Sequence, residues 1–241
     1  MRRSIGVSET ILAGVVVVVA LGRRPFQAHV AEGTLPGRWG SWLNSYLNRP
    51  SYRLMAAALD LGPQDALLDV ACGWGEFLVV HGATAARVAG IDVSEEKVAL
   101  ARERLAGRIG AGSAEVVQGD AALLPWPDGT FSAVLCMDAF PFLTDPERVL
   151  AEVLRVLRPG GRMVVQIGMR WPDGPPRHMV HPMSPVAGDE GSVRRMVEAV
   201  GFGDVAVSYG LVGGASRAAN LACRLTSASD ELRLVSAVKP A

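Results

Sequence analysis

Several kinds of chemistry are missing from this 241-residue sequence. It has no surplus charge, since 24 lysines and arginines face 24 acids. Nothing in that balance favours a phosphate-rich partner, so nucleic acid is not an expected one. Its three cysteines, Cys72, Cys136 and Cys223, stand far apart with no CxxC pair. That excludes a disulfide framework and a thiolate zinc site, and fits reduced thiols in a cytoplasmic setting. Cys136 and Cys223 lie in apolar runs and read as core. There is no GK[ST] to complete a P-loop and no recognisable catalytic triad. What the chain has is apolar substance, 49% of its residues, enough for a core and against disorder. The length fits one domain with an extension.

The N-terminus, MRRSIGVSETILAGVVVVVALGRRPF, departs from that ordinary profile. Its dense apolar run, Ile11 to Leu21, is short for a membrane span and becomes long enough only from Ile5, which includes Glu9. Arginines flank it at Arg2, Arg3, Arg23 and Arg24. A signal peptide, a single anchor that keeps the main domain inside, and a buried or interfacial segment are the competing readings. An anchor or interfacial segment over residues 5–22 is the expectation carried forward. Residues 25–40, broken by Pro25, Gly33, Pro36, Gly37 and Gly40, read as a linker.

Beyond the linker, apolar residues from Trp42 to Ala58 recur at helical spacing, and Pro50 divides them into two helices over 41–62. Strands and helices then alternate. Strands are expected at Ala66–Val70, Arg87–Val93, Ala114–Gln118, Phe131–Met137 and Arg162–Gly168. Helices are expected from Glu76, after Ser94 as N-cap, from Asp145-Pro146 to Leu157, and over Ser192–Val200. Arg158-Pro159-Gly160-Gly161 reads as a helix stop. Val205–Tyr209 and Asn220–Thr226 close the chain as an edge hairpin, followed by a tail over 229–241. The pattern predicts a Rossmann-like, doubly wound α/β sheet of seven strands, mostly parallel, occupying 63–228.

In such a sheet ligands bind beyond the carboxyl ends of the strands, where strand order reverses. ALLDVACGWGEF (66–77) falls there, with Asp69 buried at the end of an apolar run and Gly73 and Gly75 at a helix start. Glycines let a ligand touch backbone, and a helix N-terminus offers free N–H groups. Asp92 ends the second strand, where an acid can hold two ribose hydroxyls. Asp120 ends the third, where an acid can accept from an adenine amine. Met137 follows the fourth. A dinucleotide oxidoreductase is the first rival, but Leu78 stands where its third glycine belongs. A non-catalytic nucleoside-binding scaffold is the second.

The segments LLDVACGWGEF (67–77), GIDVSEE (90–96), QGDAALLPWPDGTF (118–131) and LRVLRPGGRMVV (154–165) carry a resemblance. They resemble class I S-adenosylmethionine-dependent methyltransferases of the ubiquinone/menaquinone-methyltransferase-like group. The resemblance implies S-adenosyl-L-methionine as cofactor. It implies that Asp69, Ala71, Gly73 and Gly75, with Cys72 and Trp74 beside them, line its methionine part. It places Asp92 and Val93 at the ribose, Asp120 and Ala121 at the adenine, and Met137 near the sulfonium and acceptor. Ser132, where the family often has an acid, reads as a surface change.

The stretch MRWPDGPPRHMVHPMSPV (169–186) reads as a flap over an acceptor pocket. Its His178 and His181 can serve as general base, or be solvated loop histidines; no metal site is completed. Tyr46 and Tyr52 can face the acceptor, although core packing explains them, and Trp126 reads as packing under a turn. The expected function is in-line methyl transfer to a small or lipophilic acceptor, on the inner face of a membrane.

Overall fold

The computed structural model describes residues 51–137, 139–169, 190–211 and 231–241. The N-terminal apolar run, the linker, residues 41–50 with Tyr46, His178, His181 and the strand expected at Asn220–Thr226 lie outside them. Among the described residues no helix is long and apolar enough to cross a membrane.

Seven strands form one sheet in the order β3-β2-β1-β4-β5-β7-β6. β1 (Ala66–Val70), β2 (Arg87–Asp92), β3 (Ala114–Gln118), β4 (Phe131–Cys136) and β5 (Leu157–Met169) pair in parallel. β7 (Glu231–Val238) is antiparallel to β5, and β6 (Gly203–Leu211) forms the edge. Helices cover residues 51–59 (α1), Glu76–Val80 (α2), Glu95–Arg104 (α3), Ala106–Gly110 (α4), Pro146–Val156 (α5) and Glu190–Val200 (α6). This is the doubly wound architecture that the alternating pattern implied. Strand order reverses between β1 and β4, which puts the glycine loop after β1 at the switch point.

Central strands of such a sheet are covered on both faces, and all six residues of β4 are buried. On one face Val134, Met163, Val165 and Val235 join Val149, Val153 and Val197 of α5 and α6. The other face carries Leu67, Asp69, Leu135 and Val164 in register. Caps fall where the sequence put them. Ser94 Oγ accepts from the Lys97 N–H at 3.4 Å, and the Asp145 carboxylate from the Arg148 N–H at 3.0 Å, with Pro146 at the first helical position.

Three expectations change. First, the strand beside β5 is ELRLVSAV (Glu231–Val238), inside the segment read as a tail. Arg233 interrupts its apolar run, yet the strand lies between β5 and β6 and is buried from Leu232 to Val235. Lys239 fastens its end, its N–H donating to the Gly161 carbonyl at 2.8 Å and its Nζ to the Leu157 carbonyl at 2.7 Å. Second, Arg158-Pro159-Gly160-Gly161 belongs to β5 as an irregularity. Pairing slips between Phe131↔Leu157 and Ala133↔Arg162, and Gly160 takes φ +73. Third, Ser132 is no surface residue, being 1% exposed.

Ser132 sits in a polar network at the amino ends of the strands. Its Oγ accepts from the Ala66 N–H at 3.0 Å and donates to Asp65. Asp65 accepts from both terminal Arg162 nitrogens, at 3.1 and 2.7 Å, and from the Gly62 N–H at 2.8 Å. Arg162 in turn donates to the carbonyls of Leu59 and Asp60 that end α1. The hydrogen bonds from Arg162 hold the Asp65 carboxyl well below the usual carboxylate range, against the cost of its burial. A depressed carboxylate contributes stability that is present above its unfolded pKa, about 4, and lost as pH falls below it. Asp65→Asn should therefore lower the unfolding free energy by about 3 kcal/mol at pH 7, and by less at pH 3.5. Urea unfolding at the two pH values checks this, and cofactor affinity should stay within about twofold because the network lies at the opposite edge from the glycine loop.

Candidate active site

The loop after β1 holds three left-handed residues in five: Ala71 at φ +58, Gly73 at +53 and Gly75 at +69. Glycine accepts that conformation freely, whereas Ala71 bears a cost of about 1–2 kcal/mol. The surroundings fix the loop in spite of it. The Cys72 N–H donates to the Ile91 carbonyl at 3.0 Å, and the Gly75 N–H to the Cys72 carbonyl at 2.9 Å. Arg104 donates to the Trp74 carbonyl at 3.1 Å and pairs with Glu76. Lys97 Nζ lies 5.6 Å from the centre of the Trp74 ring.

The decisive contacts belong to Asp92. One carboxylate oxygen accepts from the Gly73 N–H at 2.9 Å, and the other from the Ser94 N–H at 2.9 Å. Its carbonyl accepts from the Gly119 N–H at 3.1 Å, next to Asp120. One residue thereby joins the loop after β1, the start of α3 and the end of β3. Sequence spacing suggested a ribose-binding acid, and this clamp was not legible in it. Each Asp92 oxygen retains a further acceptor position for a ligand.

Beside the clamp, Asp69 is 3% exposed, and no hydrogen bond reaches its carboxylate from the described residues. Burial, and then the nearby Asp92, raise its pKa well above the ordinary value. Burial pushes the Cys72 thiol up too, with Asp69 and Asp92 adding to it, so Cys72 is a packed thiol rather than a nucleophile. Its sulfur explains a further glycine. A Cβ on Gly90 would come within 2.7 Å of Cys72 Sγ and 2.9 Å of Leu78 Cδ1. The close approach of helix to strand, which a third glycine would otherwise permit on the helix, is made on the facing strand.

The remaining expected residues fall at the same edge. Val93, 71% exposed, follows Asp92. Asp120 is exposed, with Oδ1 accepting from the Ala122 N–H at 2.9 Å, and Ala121 is buried beneath. Arg155 holds their loop through the carbonyls of Trp126 (2.8 Å) and Leu124 (2.9 Å), while Glu152 accepts from the Leu124 N–H at 2.9 Å. Trp126 packs edge-on against Phe131 under that turn. Met137 follows β4, half-buried. Tyr52 packs against Phe77 and His81, with ring centres 6.1 and 6.3 Å away. Among the described residues no group of acids, histidines and cysteines is arranged to hold a metal ion.

The donor set suits a particular kind of guest. Among the described residues nothing lies within 4 Å of a Cβ placed on Gly73, which leaves room for a guest beside the loop backbone. Buried carboxylates beside that space favour a cation, and Asp120 offers an acceptor to an amine farther along. A nucleoside carrying an ammonium and a sulfonium fits these groups. The fold and the groups at its carboxyl edge suit S-adenosylmethionine as the guest.

Comparison with known proteins agrees. Residues 68–165 match the family described as a methyltransferase domain. A demethylmenaquinone methyltransferase of Symbiobacterium thermophilum is 33% identical over 131 residues, 53% of this chain and 49% of that protein. A ubiquinone/menaquinone biosynthesis C-methyltransferase of Ectopseudomonas mendocina is 33% identical over 127 residues, 51% of this chain and 49% of that one. The chain thus spans about half the length of the curated relatives it matches. Among solved structures, the [4+2]-cyclase SpnF superposes with a TM-score of 0.59 at 25% identity, over 79% of this chain and 80% of that one. These likenesses favour methyl transfer over the oxidoreductase reading.

Because the Asp69 pKa is raised, ionising it is unfavourable in the folded protein. The ionised form costs stability, and that cost grows from the unfolded pKa up to the folded one and persists above it. At pH 7.5 ligand-free Asp69→Asn should melt no lower than wild type, yet bind S-adenosylhomocysteine on the order of 10–100-fold more weakly, having lost a charged partner for the ammonium. In mildly acid buffer the wild type should release protons on binding and Asp69→Asn should not. Titration calorimetry in two buffers of different ionisation enthalpy measures both.

Proposed function

We propose that this chain transfers the methyl group of S-adenosyl-L-methionine to a small lipophilic acceptor, of which a reduced quinone ring is the leading example. The observation that supports it most is the Asp92 clamp, which makes one site of three strand ends. In this reading Asp69, Ala71, Cys72, Gly73, Trp74 and Gly75 hold the methionine part of the cofactor, Asp92 and Val93 its ribose, and Asp120 and Ala121 its adenine. Met137 borders the acceptor.

The bound cofactor supplies an electrophilic methyl on a sulfonium sulfur, which keeps the bonding pair and leaves as a thioether. The acceptor gives an electron pair to the methyl and loses a proton to water or to a base such as His178 or His181. The protein's own work is positional: it fixes both partners and excludes water, which contributes on the order of 7–11 kcal/mol to such reactions. Buried Asp69 and Asp92 favour the cationic substrate form over its neutral thioether product, which promotes product release.

Tritiated methyl from S-adenosylmethionine should pass into an organic-extractable acceptor, with reduced 1,4-naphthoquinone as the first probe. Asp120→Ala should raise the cofactor KM about tenfold, the equivalent of one hydrogen bond, with kcat little changed. S-adenosylhomocysteine binding without turnover on any cell extract would favour the scaffold reading instead. The likeness to a cyclase makes turnover, rather than binding, the deciding measurement.

The domain arrangement proposed with this activity is a membrane-contacting segment at 5–22, helices over 41–62 that cover the acceptor, and a cytoplasmic catalytic domain from residue 63. The arginine-flanked apolar run and the lipophilic quinones named for the relatives support it. Cell fractionation with and without residues 1–24 tests it: the full chain should sediment with membranes and the shortened one should not. Equal distribution of the two forms would count against it.

A further inference from the structure

Lys97 stands where its own helix gives a cation no advantage. Ser94 caps α3, and Glu95, Glu96 and Lys97 form the first turn. The positive end of the helix dipole disfavours a cation there, and a capping serine is usually answered by Glu or Gln at the Lys97 position. The arginines farther along α3 have protein partners. Arg102 donates to the Val116 carbonyl at 2.8 Å, and Arg104 to the Trp74 carbonyl and to Glu76. Lys97 is half-buried, and among the described residues neither a carboxylate nor a carbonyl accepts from its Nζ. What its ammonium has there is the face of Trp74, with the ring centre 5.6 Å away.

The packing of α3 sets where that ammonium lies. A Cβ on Gly75 would come within 3.1 Å of Ala101 Cβ, so the end of the glycine loop rests against α3. Lys97 is one turn before Ala101 on the same helix face, and its contact with Trp74 extends that seam toward the start of the helix. Gly73, next to Trp74, donates to one Asp92 oxygen, and Ser94, at the cap of the Lys97 turn, donates to the other. Ammonium and carboxylate are thus carried by the same two segments. The Lys97 charge also reaches the loop, where it offsets part of the effect of Asp69 and Asp92 on the Cys72 thiol. Ribose hydroxyls that donate to Asp92 keep lone pairs on their own oxygens, and an ammonium brings three donors to such a site.

We propose that Lys97 is a second ribose-positioning residue: while Asp92 accepts from the ribose hydroxyls of the cofactor, the Lys97 ammonium donates to a hydroxyl oxygen from the Trp74 side. The Trp74 ring holds the lysine stem before the guest arrives, which reduces the freedom lost on binding. This rests on the methyl-transfer reading above and deepens it.

The test is equilibrium binding to the full chain, measured by calorimetry. The probes are S-adenosylhomocysteine, 5′-methylthioadenosine, which keeps the ribose but lacks the amino-acid end, and the 2′,3′-dideoxy form of methylthioadenosine. Wild type should prefer methylthioadenosine to its dideoxy form. Lys97→Met should lose about three- to tenfold of that preference while binding the dideoxy form as well as wild type does, and Lys97→Arg should recover part of it. S-adenosylhomocysteine should weaken in Lys97→Met by the same factor as methylthioadenosine. An undiminished preference in Lys97→Met overturns the proposal. So does an equal loss for all three probes, which would make Lys97 only a support of the loop. A loss confined to S-adenosylhomocysteine overturns it too, by placing the ammonium at the cofactor's carboxylate. If wild type binds neither S-adenosylhomocysteine nor methylthioadenosine, the methyltransferase reading itself falls.

Discussion

The site depends on one carboxylate. Asp92 accepts from Gly73 in the loop after β1 and from Ser94 at the cap of α3, and its backbone receives Gly119 at the end of β3. A loop with three left-handed residues has little reason of its own to keep one shape. Charge-assisted hydrogen bonds in a buried setting are about twice as strong as neutral ones, and supply that reason. Burial, and then the same carboxylate, raise the pKa of Asp69, so its ionised form is disfavoured until a cationic guest lies beside it.

Binding and stability pull in opposite directions here. Asp69 lies buried with no hydrogen bond from the described residues, and Ala71 carries a backbone conformation that suits glycine. Both features are costs in the empty protein, concentrated at the carboxyl edge of the sheet. The opposite edge is arranged for rigidity. There Ser132, Asp65 and Arg162 tie α1, β1, β4 and β5 together, and β7 is fastened through Lys239. A rigid amino edge allows the carboxyl edge to hold charge and strain without local collapse.

Much of this was legible in the sequence, because the relevant signals are local. Alternating apolar runs gave the strands, Ser94 and Asp145 the caps, and Asp69, Gly73, Gly75, Asp92 and Asp120 lie at or just beyond the carboxyl ends of β1, β2 and β3, as their spacing implies. What escaped depends on partners distant in sequence. Ser132 looks like a solvent-tolerant replacement until Asp65, 67 residues away, is seen to donate it a role. Gly90 reads as an ordinary strand glycine until Cys72 and Leu78 are found against it. ELRLVSAV looks like a tail because Arg233 breaks its periodicity, although β5 and β6 flank it in the sheet.

The central claim is that the ends of β1, β2 and β3 together hold one S-adenosyl nucleoside. The most direct measurement is calorimetric titration of the full chain with S-adenosylhomocysteine and, separately, with NADH. The account predicts one S-adenosylhomocysteine bound per chain, and no displacement of it by NADH. Tight binding of NADH with no affinity for S-adenosylhomocysteine would contradict it.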